Sequence, residues 1–181
     1  MLSFDTAHPD SDVTGGDLLW IRPPVPEQIG TTSLNKETQI YTDGWPEGIT
    51  VDLVGALYDF MRDVQTTLGL PTVPSGSSNG LLSFTYGKLP DPGIDISSFR
   101  IVGNVIYENP VSSNYSISAS QPSGTMSGSF RPTWAIPASA LPTYKGILLR
   151  KGASRGGYGF FISNIPNDLN PESGRVILGE P

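Results

Sequence analysis

The most reactive side chains cluster near the start of the chain. Asp5-Thr6-Ala7-His8-Pro9-Asp10-Ser11-Asp12 places an imidazole, carboxylates and hydroxyls within a few positions of one another. These are the ingredients of a Ser-His-Asp triad, but a triad also needs its base held rigidly within hydrogen-bond reach of the nucleophile. A segment this rich in Pro and Asp offers no such support, and the chain has no Gly-x-Ser-x-Gly elbow. The same carboxylates are hard oxygen ligands suited to calcium, yet the glycine and glutamate that complete an EF-hand loop are missing. His8 is the only histidine and there is no cysteine. Multi-His metal centres, thiolate zinc sites, cysteine nucleophiles and disulfides are thereby excluded together. The expectation is a solvated polar arm, with no catalytic residue, metal or cofactor.

The remaining candidates have equally plain readings. Asp59 and Asp63 stand one helical turn apart and could share a site as glycosidase carboxylates do; with Arg62 between them they read as a solvated helix face. Lys151-Gly152-Ala153-Ser154-Arg155-Gly156-Gly157-Tyr158-Gly159 is glycine-rich but lacks the Lys-Ser/Thr pair and following helix of a phosphate-binding loop. It is expected to join two strands as a hairpin, with Arg155 at its tip as a partner contact. Asn114-Tyr115-Ser116 matches a glycosylation sequon by pattern. Trp45, Tyr115, Trp134, Tyr144 and Tyr158 lie near loops, where aromatic rings either stack on sugars or fill the core of a sandwich. Trp134, Tyr144, Arg155 and Tyr158 are the candidate receptor contacts.

The elements that must position these groups follow from composition. With 21 Gly and 17 Pro among 181 residues, the chain cannot be a helical bundle, since each interior Gly costs about 1 kcal/mol and each Pro about 3. Apolar residues at 37% still suffice for one packed domain. No run approaches the ~20 apolar residues of a membrane span. Met1 to Ser11 lacks the basic and apolar regions of a signal peptide, so none is expected. Eleven Lys+Arg against 17 Asp+Glu give a net charge of −6, which argues against a nucleic-acid partner.

Residues 1–49 read as an extended arm punctuated by Pro and Gly, with short strands at Leu18–Arg22 and Thr38–Tyr41. One helix is predicted over about 51–68, with Thr50 as N-cap and Gly69 and Pro71 as the stop. Val54, Leu57, Met61, Val64 and Leu68 recur at 3,4 spacing, widened by Leu53 and Phe60. This stripe is the candidate oligomer or docking interface, able to pack on its own domain or on copies of itself. A small-residue hinge at 73–80 closes the 50–79 segment. From residue 80 to 181 the period becomes two. Strands are expected at Leu82–Tyr86, Phe99–Val102 and Asn104–Tyr107 joined through a bulge at Gly103, Tyr115–Ala119, Met126–Phe130, Thr133–Ile136, Gly146–Arg150, Tyr158–Ile162 and Arg175–Leu178. The predicted fold is mainly β: an antiparallel β-sandwich or jelly-roll-like body, one α-helix and an extended N-terminal arm.

Asp43-Gly44-Trp45-Pro46-Glu47-Gly48-Ile49-Thr50, running into Leu53-Val54-Gly55-Ala56-Leu57 and Gln65-Thr66-Thr67-Leu68-Gly69, resembles a segment of tailed-phage virion proteins. In those proteins a turn leads into a short helix, a small-residue hinge and a β-rich body. The resemblance covers about residues 43–76. The Ser/Gly-rich body is also similar in texture to protruding domains of small-virus capsids. Neither family brings catalytic residues. The resemblance implies a structural protein of the virion, a head decoration, collar, adaptor or fibre-attachment component. It would form a homo-oligomer, a trimer favoured, and contact other virion proteins through its arm. The alternative is a receptor- or carbohydrate-binding spike domain facing a host-surface glycan.

Overall fold

The computed structural model describes residues 3–9, 11–14, 18–24, 44–51, 53–108, 111–137, 140–168 and 171–181; the strand expected at Thr38–Tyr41 lies outside them. Two antiparallel ribbons come first, β1 (Ser3–Phe4) with β2 (Val13–Thr14) and β3 (Leu18–Arg22) with β4 (Trp45–Val51). Helix α1 (Val64–Leu68) follows. The body then comprises β5 (Leu81–Tyr86), β6 (Ile94–Ile96), β7 (Phe99–Val102), β8 (Val105–Glu108), β9 (Tyr115–Ser120), β10 (Thr125–Phe130), β11 (Thr143–Leu149), β12 (Gly156–Ile162) and β13 (Ser173–Gly179). Seven of these strands form one antiparallel sheet in the order β6-β5-β13-β12-β11-β10-β9, and β7 and β8 make a separate hairpin. The chain is mainly β, as its composition requires.

Period-two alternation decides which side chains line the inside of the sheet. Leu82 and Phe84 of β5, Val176 and Leu178 of β13, Phe161 of β12, Tyr144 and Leu148 of β11, Met126 and Phe130 of β10 and Tyr115 of β9 are all buried. The sheet curls strongly. Phe84 stacks on Phe130 with ring centroids 4.0 Å apart, although β5 and β10 are separated in the sheet by three strands. At the far edge the Tyr115 hydroxyl donates to the Ser98 carbonyl at 3.1 Å, drawing β9 toward the chain just beyond β6. Val64, Leu68 and Leu70 from α1 and its exit, and Phe99 and Ile101 from β7, complete the core. Buried Asn79 fastens that lid to the body. Its amide donates to the carbonyls of Pro71 (2.7 Å) and Ile101 (2.9 Å), and its oxygen accepts from the Ile101 N–H (2.7 Å).

Four sequence expectations are corrected. The helix does not begin near Val51, which ends β4; it occupies only Val64–Leu68. The backbone groups that a helix over 53–63 would pair internally are bonded elsewhere. The Asp12 N–H donates to the Gly55 carbonyl at 2.8 Å, the Gly55 N–H to Ser11 Oγ at 3.1 Å and the Leu57 N–H to the Asp12 carboxylate at 2.6 Å. Asp63, not Thr50, is the N-cap, accepting from the Thr66 N–H at 2.8 Å. Gly69 ends the helix as expected, in the left-handed conformation at φ 73°. Gly103 is not a bulge: at φ 59° it forms the tight turn of the β7–β8 hairpin, in which Val102 pairs with Val105. Thr133–Ile136 is not a strand.

Candidate functional site

The N-terminal segment is fixed to the body by a polar clamp centred on Asp12. Its carboxylate accepts from Lys151 Nζ and from the Leu57 N–H, and Arg150 lies at 3.8 Å. Lys151 Nζ also donates to the Thr6 carbonyl at 2.8 Å, and Arg150 Nε to the Leu57 carbonyl at 2.6 Å. Both cations stand at the end of β11, so the hairpin to β12 is what presents them. The hydrogen bond from Lys151, then that from Leu57, hold the Asp12 carboxyl below its ordinary value of 3.8. A carboxylate whose pKa is lowered by folding stabilises above the unfolded value and loses that contribution as pH falls through the folded one. The clamp is therefore expected to hold at neutral pH and release on acidification below pH 3.8. In NMR the Leu57 amide shift should titrate with Asp12, and Asp12→Asn should remove that titration.

The same contacts engage the groups of the first chemical candidate. Ser11 Oγ donates to the Val13 carbonyl at 2.6 Å and accepts from the Val13 and Gly55 N–H groups, while the Ser11 N–H donates to His8 Nδ1 at 3.3 Å. Hydroxyl and carboxylate are thus engaged in holding the ribbon down. Asp59 pairs with Arg62 at 3.0 Å and Asp63 caps α1, so the two acids do not share one helix face. Among the described residues, no three His, Asp or Glu side chains gather where they could hold a metal. No helix among them is long and apolar enough to cross a membrane.

The predicted interface stripe divides. Val64 and Leu68 are buried in the core of their own chain, and Leu53 is half-buried. Val54, Leu57, Phe60 and Met61 are exposed, on an irregular segment rather than a helix face. That segment lies against the β9–β10 turn: the Tyr58 hydroxyl donates to the Gln121 carbonyl, and Gln121 Nε2 donates to the Phe60 carbonyl at 2.7 Å. The β3–β4 ribbon also shows apolar side chains to solvent on both faces, with Leu19, Trp20 and Ile21 each more than half exposed.

The predicted receptor contacts fare differently from one another. Tyr144 is buried, its hydroxyl donating to the Ser116 carbonyl at 3.1 Å and its pKa pushed up by burial, so it is a core residue and cannot meet a receptor. Its position on β11 shares the inward parity of Leu148. Trp134 is half-buried against the core. Arg155 is not an open tip: its guanidinium donates to the Thr66 carbonyl at 2.5 Å and the Thr67 carbonyl at 3.1 Å, closing the C-terminus of α1. Tyr158 does lie on the outer, convex face of the sheet. Strand register places it opposite Ile147 on one side and Ile177 on the other.

One row further along, the convex face carries residues that sequence reading missed. Thr85, Arg175, Phe160, Lys145, Ser127 and Ser118 stand in register across six adjacent strands. Phe160 is 51% exposed. Tyr86, at φ 63°, turns out of the alternation that buries Leu82 and Phe84, and the Arg175 guanidinium lies 5.5 Å from its ring centroid. Tyr86, Phe160, Glu172, Ser173 and Arg175 surround a shallow cleft of about 550 Å³. In Tyr158-Gly159-Phe160-Phe161-Ile162 both phenylalanines read as apolar strand residues. The available signal was parity with Gly157 and Gly159, small residues where the sheet is closely covered, which assigns Phe161 to the inside and Phe160 to the outside.

Comparison with known proteins returned no match to a family model, a curated protein or a solved structure.

Proposed function

We propose that this chain is a non-enzymatic structural component of a virus or phage particle, a decoration, collar, adaptor or fibre-attachment protein that works in the virion. It self-associates as a homo-oligomer, a trimer being favoured, and docks on other virion proteins through its N-terminal segment. The observation that carries this reading is the β3–β4 ribbon, whose Leu19, Trp20 and Ile21 face solvent. An isolated two-stranded ribbon is at best marginally stable in water, and side chains of this kind become favourable when a second surface covers them, by about 25 cal/mol for each Å² buried. Exposed Leu57, Phe60 and Met61 add apolar area on the segment that the Asp12 clamp anchors to the body. Ser11 and Asp12 are occupied in anchoring that segment, which supports assembly over catalysis.

Size-exclusion chromatography with light scattering on the intact chain tests this directly. The expected mass is a multiple of 19.3 kDa that Leu19→Ser with Trp20→Ser reduces toward the monomer. A wild-type chain that stays monomeric at all concentrations would overturn self-association. A second reading, a receptor- or carbohydrate-binding spike domain, is favoured by the exposed aromatic and cationic row on the convex face.

A further inference from the structure

We infer that the convex face binds a carboxylated sugar in the cleft between Tyr86 and Phe160, with Arg175 of the cleft lining and Lys145, beside the cleft across β12 from Arg175, as the anion-binding groups. The inference rests on the carbohydrate-binding reading and names its ligand class. The geometry is set by strand register. Arg175 faces Phe160 across β13 and β12, and Phe160 faces Lys145 across β12 and β11. With neighbouring strands about 4.8 Å apart, the two cations flank the ring from backbone positions separated by about 10 Å.

Among the described residues both cations are outside the ion pairs, as are Arg100, Arg131 and Arg155; of these Arg175 lines the cleft and Lys145 stands one strand beyond Phe160. The chain carries a net charge of −6, and Arg62, Lys88, Arg150 and Lys151 all find carboxylates within 4.0 Å. Among the described residues, neither Arg175 nor Lys145 has such a partner. Arg175 is instead laid over the Tyr86 ring, which orients the guanidinium while leaving its N–H edge available for a planar carboxylate.

Two rings exposed by half or more, Phe160 and Tyr86, supply flat apolar faces of the kind that stack on the C–H face of a pyranose. Glu172 at the rim adds an acceptor for sugar hydroxyls. The cleft falls in the size range of small-ligand sites. Hydroxyl side chains of Thr85, Ser127 and Ser118 continue the row on either side, a polar surround that favours a hydroxylated ligand over an apolar protein face. Two cations on a strongly acidic chain are too few to hold a phosphate backbone, which sets nucleic acid aside.

The test is saturation-transfer NMR and titration calorimetry on the intact chain with sialyllactose, a hyaluronan tetrasaccharide and, as the neutral probe, lactose. At least one carboxylated probe is expected to bind about tenfold more tightly than lactose, the difference one charge-assisted contact makes. Arg175→Gln and Lys145→Gln should each remove most of that preference. Phe160→Ala should abolish binding and Phe160→Tyr retain it, with circular dichroism confirming the fold of each. Equal binding of lactose and the carboxylated probes would overturn the acidic specificity while leaving carbohydrate binding in place. Unchanged affinity in Phe160→Ala would overturn the site, and no binding of any probe would overturn both the inference and the reading beneath it.

Discussion

Replacing Phe84 with Ala should lower the free energy of unfolding by about 3–5 kcal/mol, the range for deleting a buried phenylalanine ring. Phe84 has no solvent exposure. Its ring stacks on Phe130 at 4.0 Å and meets Tyr144 edge-on at 5.4 Å and Phe161 at 6.1 Å. These partners come from β10, β11 and β12, none of which is hydrogen-bonded to β5. The ring is therefore what β5 contributes across the inside of the curl, where no ladder of backbone bonds can do so. Urea denaturation should show a large fall in midpoint. A loss below about 1 kcal/mol would show that the site collapses around the cavity and that the aromatic cluster does not hold the curled sheet. Phe160→Ala, one residue from Phe161 but on the convex face, should cost far less, because half of that ring is already in water.

Gly128→Ala should destabilise through overpacking by about 3 kcal/mol, the upper part of the usual range. A methyl group at Gly128 of β10 would lie 2.6 Å from the Tyr144 hydroxyl oxygen and nearer still to the Ser116 carbonyl oxygen. The carbonyl belongs to backbone on the neighbouring strand, where Ser116 pairs with Ser129, so no side-chain rotation relieves the clash. The Tyr144–Ser116 hydrogen bond would also be displaced. Thermal unfolding followed by circular dichroism reads the effect. A variant as stable as the wild type would mean that β9, at the sheet edge, moves aside without cost. Ser127→Ala, the preceding position on the convex side, serves as the neutral comparison.

The strands were legible in the sequence wherever one face is buried and the other wet. Leu82 and Phe84 alternating with Ser83, and Tyr115 and Ile117 alternating with Ser116 and Ser118, identify β5 and β9 without knowledge of their partners. The end of α1 was legible for a local reason too, since Gly69 supplies a conformation that other residues resist. Its beginning was not. Val54, Leu57 and Met61 have helical spacing, but the Leu57 N–H is taken by Asp12, 45 positions away. A short helix draws most of its stability from tertiary packing, so a distant acceptor can redirect the backbone without leaving a trace in the local pattern. The interface residues divided for the same cause. The convex site was illegible for another: Tyr86 has the parity of a core residue and leaves it through one backbone angle, while Arg175 and Lys145 become neighbours of Phe160 only once β13 lies beside β12.

That last placement governs the order of events when the chain is made. β13, ending at Gly179, is inserted between β5 and β12 near the middle of the sheet, so β5 waits about ninety positions along the chain for a hydrogen-bonded neighbour on that side. Pairings of such sequence separation form slowly because the loop entropy must be spent before the contact repays it. On the ribosome, β5 and β6 emerge early and remain a two-strand fragment of the seven-stranded sheet, with an open edge, until β13 has been released. Sheet completion therefore waits on residues 173–179, and a translation product interrupted before them would expose a strand edge prone to aggregation.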